Sequence, residues 1–227
     1  KLSAWHGRFV SVMPRSWKED ESFRHRVRQG KIQWKHILSR KNDRQPESKL
    51  DRYYVAQGDY QTSSGYRLHW IRSTQKAEQD GQTRTRRMER ALDALRSVQT
   101  KLNTYNLKAR KQIEQRVKKI LQEQHCQDVI RYEIHATRQY ERVYQQKGRP
   151  RKNSPYKISW KQVFSLSFSV DKDAVREEEM ADGVFPLITN LDAKAYPAKK
   201  VLEIYLSDAR KTAPDKLKTI LRFQVRL

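Results

Sequence analysis

Hydrophobic and polar positions along this chain change period several times, and each change marks a different kind of element. Arg8-Phe9-Val10-Ser11-Val12-Met13 is a short, mostly apolar run. Pro14 stops it, because its fixed φ and missing N–H suit a strand end. Ser16-Trp17-Lys18-Glu19 then has the spacing of a capping box, with a Ser hydroxyl and a Glu carboxylate three residues apart. The pair predicts a helix running to about Gly30.

From Asp51 to Ser73 the period is two. Tyr53 and Val55, then Tyr66, Leu68 and Trp70, alternate around the turn-rich Gly58-Asp59 and Ser63-Ser64-Gly65, as half-buried antiparallel strands do. The pattern then turns helical. Met88, Ala91, Leu95, Val98, Leu102 and Tyr105 recur at three- and four-residue steps, and Ile113, Val117, Ile120 and Leu121 follow after Asn103-Thr104-Tyr105-Asn106. The asparagines favour a turn between about Asn103 and Lys108, hence an antiparallel helical hairpin. One long helix through the same span is the alternative.

Period two then returns. Ile130, Tyr132, Ile134 and Ala136 share one face; Tyr156, Ile158, Trp160, Phe164, Leu166, Phe168 and Val170 share another, with Gln162 the one polar break. Residues 145–155 between them are rich in Gly, Pro and Ser and predict a loop, so the whole is a hairpin with a basic tip. An acidic helix over Asp173–Met180 leads to the turn Asp182-Gly183. An apolar strand ending at Thr189-Asn190 follows, then an amphipathic start at Val201-Leu202-Glu203-Ile204-Tyr205.

Composition narrows the partners. The 227 residues are only 36% hydrophobic, and 49 Lys and Arg against 26 Asp and Glu give a formal charge of +23. Such an excess attracts polyanions through counterion release, which makes nucleic acid the expected partner. No apolar run is long enough to span a bilayer, and the basic segments lack the strongly apolar opposite face of a membrane-surface helix. Cys126 is the single cysteine, so no intrachain disulfide forms and a reducing, cytoplasmic location is expected, with nucleoid association when bound to DNA. No signal peptide is recognisable, and the start at Lys1 within an apparently ordered stretch is expected of a piece of a longer protein.

Two segments concentrate the positive charge. Residues 76–125 hold 13 basic and 6 acidic residues, which either a solvated helix surface or DNA contact accounts for. Residues 138–161 hold 8 basic and 1 acidic, and there nucleic acid is favoured because a hairpin tip reaches a groove. Arg142, Lys147, Arg149, Arg151 and Lys152 are the candidate DNA ligands. Tyr140, Tyr144 and Tyr156 beside them either stack on exposed bases or pack the hairpin. The six histidines show no metal-ligand spacing, and His125-Cys126 has no companion pair, so no zinc site is expected. No nucleophile-elbow or phosphate-binding-loop sequence occurs.

Four blocks in order resemble one family. GRFVSVMPRSWKEDESFR (residues 7–24), IRSTQKAEQDGQTRTRRMERALDAL (71–95), GRPRKNSPYK (148–157) and VDKDAVREEEMADGVFPLITN (170–190) are similar to blocks of insertion-sequence DDE transposases, the family-four-like superfamily with RNase H-like cores. The resemblance implies an α+β fold. Residues 1–44 would be the first part of an RNase H-like core, 45–170 an insertion of antiparallel strands with a helical hairpin at 75–125, and 171–227 the return to the core with a divergent tail. It also implies double-stranded DNA as partner, a homodimer in a transposition complex, and two-metal strand cleavage and transfer with Mg2+ in the complete protein. The family's first two catalytic aspartates would precede Gly7, with Lys1-Leu2-Ser3 trailing the second block. The third acid has no match: the expected positions fall on Lys211 and Thr212, and Glu203 and Asp208 are the nearest carboxylates. No metal is therefore expected on this stretch alone. A non-catalytic basic nucleic-acid-binding protein and a decayed transposase product are the alternatives.

If the hairpin tip grips phosphates, replacing Arg149, Arg151 and Lys152 with Ala should weaken DNA binding. The log-log salt slope should flatten by about 2 to 3 units, since each phosphate contact contributes about 0.9. Unchanged affinity would move the DNA surface to the helical hairpin.

Overall fold

A computed structural model describes residues 8–41, 50–144 and 155–207. In chain order its elements are β1 (Val10–Val12), α1 (Lys18–Arg28), β2 (Trp34–Lys41), β3 (Leu50–Ala56), β4 (Tyr60–Gln61) and β5 (Arg67–Ser73). There follow α2 (Thr74–Thr100), α3 (Arg110–Glu123), β6 (Ile130–Tyr144), β7 (Tyr156–Val170), α4 (Lys172–Met180), β8 (Val184–Thr189) and α5 (Ala198–Leu206). The fold is mixed α+β with antiparallel sheets, and it divides into two units: Thr83–Val175, and the residues on either side of that segment.

The flanking unit is a sheet of order β1-β8-β5-β3-β2, with β4 added to β5, and every pairing in it is antiparallel. β8 lies between β1 and β5 and all six of its residues are buried. That burial on both faces is why VFPLIT is a continuous apolar run with no alternation. One face packs Phe9, Met13, Leu68, Trp70, Val184 and Ile188 against Phe23 and Val27 of α1. The Phe23 and Trp70 rings stack 3.9 Å apart. The other face packs Val10, Tyr53, Ile71, Phe185 and Leu187 against Val201, Leu202 and Ile204 of α5. Thr189-Asn190 closes the strand by side-chain bonding: the Thr189 hydroxyl donates to the Phe9 carbonyl at 2.6 Å, and the Phe9 N–H donates to Asn190 Oδ1 at 2.9 Å.

Two expectations need correction. The span 45–170 does not stay together, because β5 pairs with β8 over Arg67–Arg72 and β3 pairs with both β5 and β2. Residues 50–73 thus complete the sheet, and the compact unit between them and β8 is Thr83–Val175. β2 has no clean alternation in the sequence, because its register shifts between His36 and Leu38 and leaves Ile37 and Leu38 adjacent. The capping box does not form: α1 starts one residue late, with Trp17 at the N-cap and no side-chain cap. Glu19 instead accepts the Ser63 N–H at 2.9 Å, and that bond draws its pKa below the usual carboxylate range. The positions Lys1–Ser3, Asp208, Lys211 and Thr212 lie outside the described residues.

The first helix of the hairpin starts within a residue of the 75 that the resemblance implies, well before the periodic seam at Met88. α2 starts at Thr74, directly after β5, and its cap comes from another strand. The buried Asp51 carboxylate of β3 accepts the Ser73 and Thr74 hydroxyls and the Gln75 N–H, each at 3.0 Å, while Ser73 Oγ accepts the Lys76 N–H. Burial and the hydrogen bond to Asp51 push the neighbouring Tyr53 phenol well above its ordinary pKa. Gly183 closes the same junction at φ +75°, donating its N–H to Asp80 Oδ2 and accepting the Ser73 N–H. A Cβ there would stand 2.3 Å from the Ser73 carbonyl oxygen and 2.9 Å from Ala77 N. Only glycine fits.

Gly183→Ala should therefore cost about 3 kcal/mol or more, through left-handed strain and a backbone clash that no side-chain rotation relieves. Asp51→Ala should cost about 2–3 kcal/mol by orphaning buried donors. Urea midpoints at unchanged m would measure both. A Gly183→Ala protein as stable as the parent would show that the junction yields.

Candidate nucleic-acid interface

The unit Thr83–Val175 builds a long two-stranded ribbon on a helical hairpin. Ala91, Leu95 and Val98 of α2 pack with Ile113, Val117, Ile120 and Leu121 of α3 against Ile130, Ile134, Phe164 and Leu166 of β6 and β7. The turn between the helices, a single 3-10 turn over Tyr105–Leu107, lies where the two asparagines predict it. Asn103 adopts φ 63°, which its short polar side chain tolerates. Its amide grips β7 at two points: Nδ2 donates to the Phe164 carbonyl at 2.9 Å, and Oδ1 accepts the Phe164 N–H at 2.8 Å. Gln99 Nε2, one helical turn earlier, donates to the Leu166 carbonyl at 2.6 Å.

Phe164 is also where the ribbon leaves its core. β6 and β7 continue in unbroken register through the eight pairs from Thr137–Val163 to Tyr144–Tyr156, a reach of about 24 Å. The outer residues of both strands are exposed. The face that carries Ile134, Ala136, Phe164 and Leu166 at the root carries Arg138, Tyr140, Arg142 and Tyr144, opposite Gln162, Trp160, Ile158 and Tyr156, further out. Tyr140, Ile158 and Trp160 are 66%, 62% and 68% exposed. Tyr140 meets Trp160 edge to face at 6.3 Å, Tyr144 meets Tyr156 at 6.0 Å, and the Arg142 guanidinium sits 4.8 Å over the Tyr156 ring. The opposite face carries Lys157 and Lys161, with Glu141 the one acidic residue of the eight pairs.

Of the sequence-predicted DNA ligands, Arg142 stands on the aromatic face, and Lys147, Arg149, Arg151 and Lys152 lie outside the described residues. Ile158 and Trp160 share the periodicity of the core but not its burial. The polar break at Gln162, opposite Arg138 and followed on the same face by Arg142, is the sequence signal that core packing stops there. The turn that Asn103 holds to the root adds exposed Tyr105, with Lys108 Nζ 5.9 Å from its ring centroid.

Of the two candidate acids, only Glu203 is among the described residues. Glu203 is exposed on α5, opposite the buried Val201, Leu202 and Ile204, and Asp208 lies outside the described residues. Among the described residues no three His, Cys, Asp or Glu side chains gather closely enough to hold a metal ion. His69, the most perturbed histidine, is held neutral: burial, then the neighbouring Arg67, pushes its pKa down to about 4, and the Arg67 guanidinium lies 3.2 Å from Nε2. No helix among the described residues is long and apolar enough to cross a membrane. Compared with known proteins, the chain matches no protein-family model, no curated protein and no solved structure.

The clamp at the root has a measurable consequence. Asn103→Gly keeps the left-handed turn accessible but removes both bonds to Phe164, so it should cost about 2 kcal/mol. Hydrogen exchange should show the Phe164 amide losing protection while Val117 and Ile120 keep theirs. Unchanged protection at Phe164 would show that the ribbon is held by side-chain packing alone.

Proposed function

We propose that this chain is the DNA-binding portion of a DDE transposase, with the sheet unit as the late part of an RNase H-like core and Thr83–Val175 as its inserted DNA-binding domain. The observation that carries the DNA-binding role is the exposed ribbon, where arginines alternate with aromatic rings in a chain of charge +23. The insertion topology supports the family reading. The chain leaves the sheet after β5 and returns as β8, the direct neighbour of β5, so a complete unit is inserted between two adjacent strands. Three of the four sequence blocks fall on β1 with α1, on the end of β5 with α2, and on α4 with β8, and the remaining block enters the described residues only at the start of β7.

Magnesium would serve the complete protein, whose acids must converge from separate core elements. A second reading is a nucleic-acid-binding protein without catalysis, in which the exposed ribbon and its basic tip are the whole function. Both readings place the contact on the ribbon and the basic helices.

DNA binding should show little sequence preference and a steep salt dependence, because phosphate contacts spread over several basic segments release many counterions. A log-log salt titration on a duplex checks this, and affinity unchanged between low and moderate salt would sink it. With Mg2+ or Mn2+ this chain should neither nick nor join transposon-end DNA. Metal-dependent cleavage abolished by Glu203→Ala or Asp208→Ala would establish a catalytic role for that carboxylate.

A further inference from the structure

The outer half of the ribbon presents an uncovered aromatic face, and its chemistry selects an occupant. Six of the ten large hydrophobic side chains that stand exposed among the described residues belong to this arm: Tyr140, Val143, Tyr144, Tyr156, Ile158 and Trp160. Five of them share one face. A concentration of that kind marks a binding surface.

A second copy of this chain is a poor occupant. Face-to-face packing would bring Arg138 and Arg142 of each copy together in molecules that each carry +23. Anionic polymers fit the charge, but phosphates alone leave the rings unused. In a duplex the base faces are hidden in the stack. An unpaired strand offers both surfaces, bases for Trp160 and Tyr140 and phosphates for the arginines.

We propose that the Tyr140–Trp160 face of the ribbon is a stacking platform for unpaired bases, giving this chain a site for single-stranded DNA in addition to its backbone contacts with duplex. The edge-to-face geometry keeps the rings from covering one another, so Trp160 and Tyr140 remain open although they touch. The Tyr144–Tyr156 pair stands four residues further out, about 14 Å along the arm, which makes a second stop for the same strand. Arg142, over the Tyr156 ring, is placed to meet the phosphate between them. Lys157 and Lys161 face the other way and serve the phosphate contacts that single strand and duplex share.

This assignment rests on the nucleic-acid-binding reading, and the test separates the two. Affinity of the intact chain is measured by fluorescence anisotropy for a labelled 20-nucleotide oligothymidine, its RNA equivalent and a 20-base-pair duplex at one salt concentration. Trp160→Ala, with folding verified by circular dichroism, should weaken oligothymidine binding about 5- to 150-fold, the range expected for one lost base-aromatic stack. Duplex affinity should change less than about twofold, and Trp160→Phe should restore most of the loss. Lys157→Ala with Lys161→Ala should weaken both DNA forms alike. Equal losses on single strand and duplex in Trp160→Ala, no loss on either, or RNA bound tenfold more tightly than DNA would each overturn the platform. No binding of any nucleic acid by the parent chain would instead remove the functional reading beneath it.

Discussion

The structure depends on one crowded junction. A unit can be inserted between adjacent strands of a sheet only if the chain leaves and returns at nearly the same place, and here the Ser73 N–H bonds to the Gly183 carbonyl at 3.1 Å. The approach is close enough to exclude any Cβ at 183. Two carboxylates finish it from different directions: Asp51, from the neighbouring strand, satisfies the first turn of α2, and Asp80, from the next turn of the same helix, takes the Gly183 N–H. Asp80 also pairs with Lys76 at 3.0 Å, which fixes its orientation. These groups tie the end of β5, the first turns of α2 and the start of β8 together.

Much of this was legible in sequence where the signal is local. Alternation in β5, β6 and β7 and the seam Ala91, Leu95, Val98 identify their elements directly, because each side of those elements meets one environment. The Asp182-Gly183 turn and the stop at Thr189-Asn190 were also visible as turn chemistry. Long-range partnerships were not. Nothing in the spacing of Asp51 says that it caps a helix starting 23 residues later, and the hydrophobic seam by itself begins only at Met88; a start near residue 75 comes from the family resemblance. The sheet membership of residues 50–73 was hidden for the same reason, since period two reports a strand but not its neighbour.

The candidate site was half visible. Periodicity placed Tyr156, Ile158 and Trp160 on the face of Phe164 and Leu166, the structure keeps them there, and the pairing of the strands adds Tyr140 opposite Trp160. What periodicity cannot give is where the supporting core ends. That limit is set by the length of the two helices, whose turn is clamped to Phe164 by Asn103. Two strands of 15 residues outrun the helices beneath them, so the same face changes from core to surface along one strand.

An unsupported two-stranded ribbon is marginal in water, and this one must be ordered beyond its core to act as an arm. Its root supplies the nucleus: Ile134, Phe164 and Leu166 are buried, and the Asn103 and Gln99 amides hold the β7 backbone. Outward from there the Tyr140–Trp160 and Tyr144–Tyr156 contacts contribute about 0.2–1 kcal/mol each, with Arg142 adding a cation–π contact. The rings that stiffen the arm are thus the ones it exposes. An arm already ordered in this way loses less conformational entropy when a strand docks than a disordered basic tail would, so more of the stacking and ionic free energy appears as affinity.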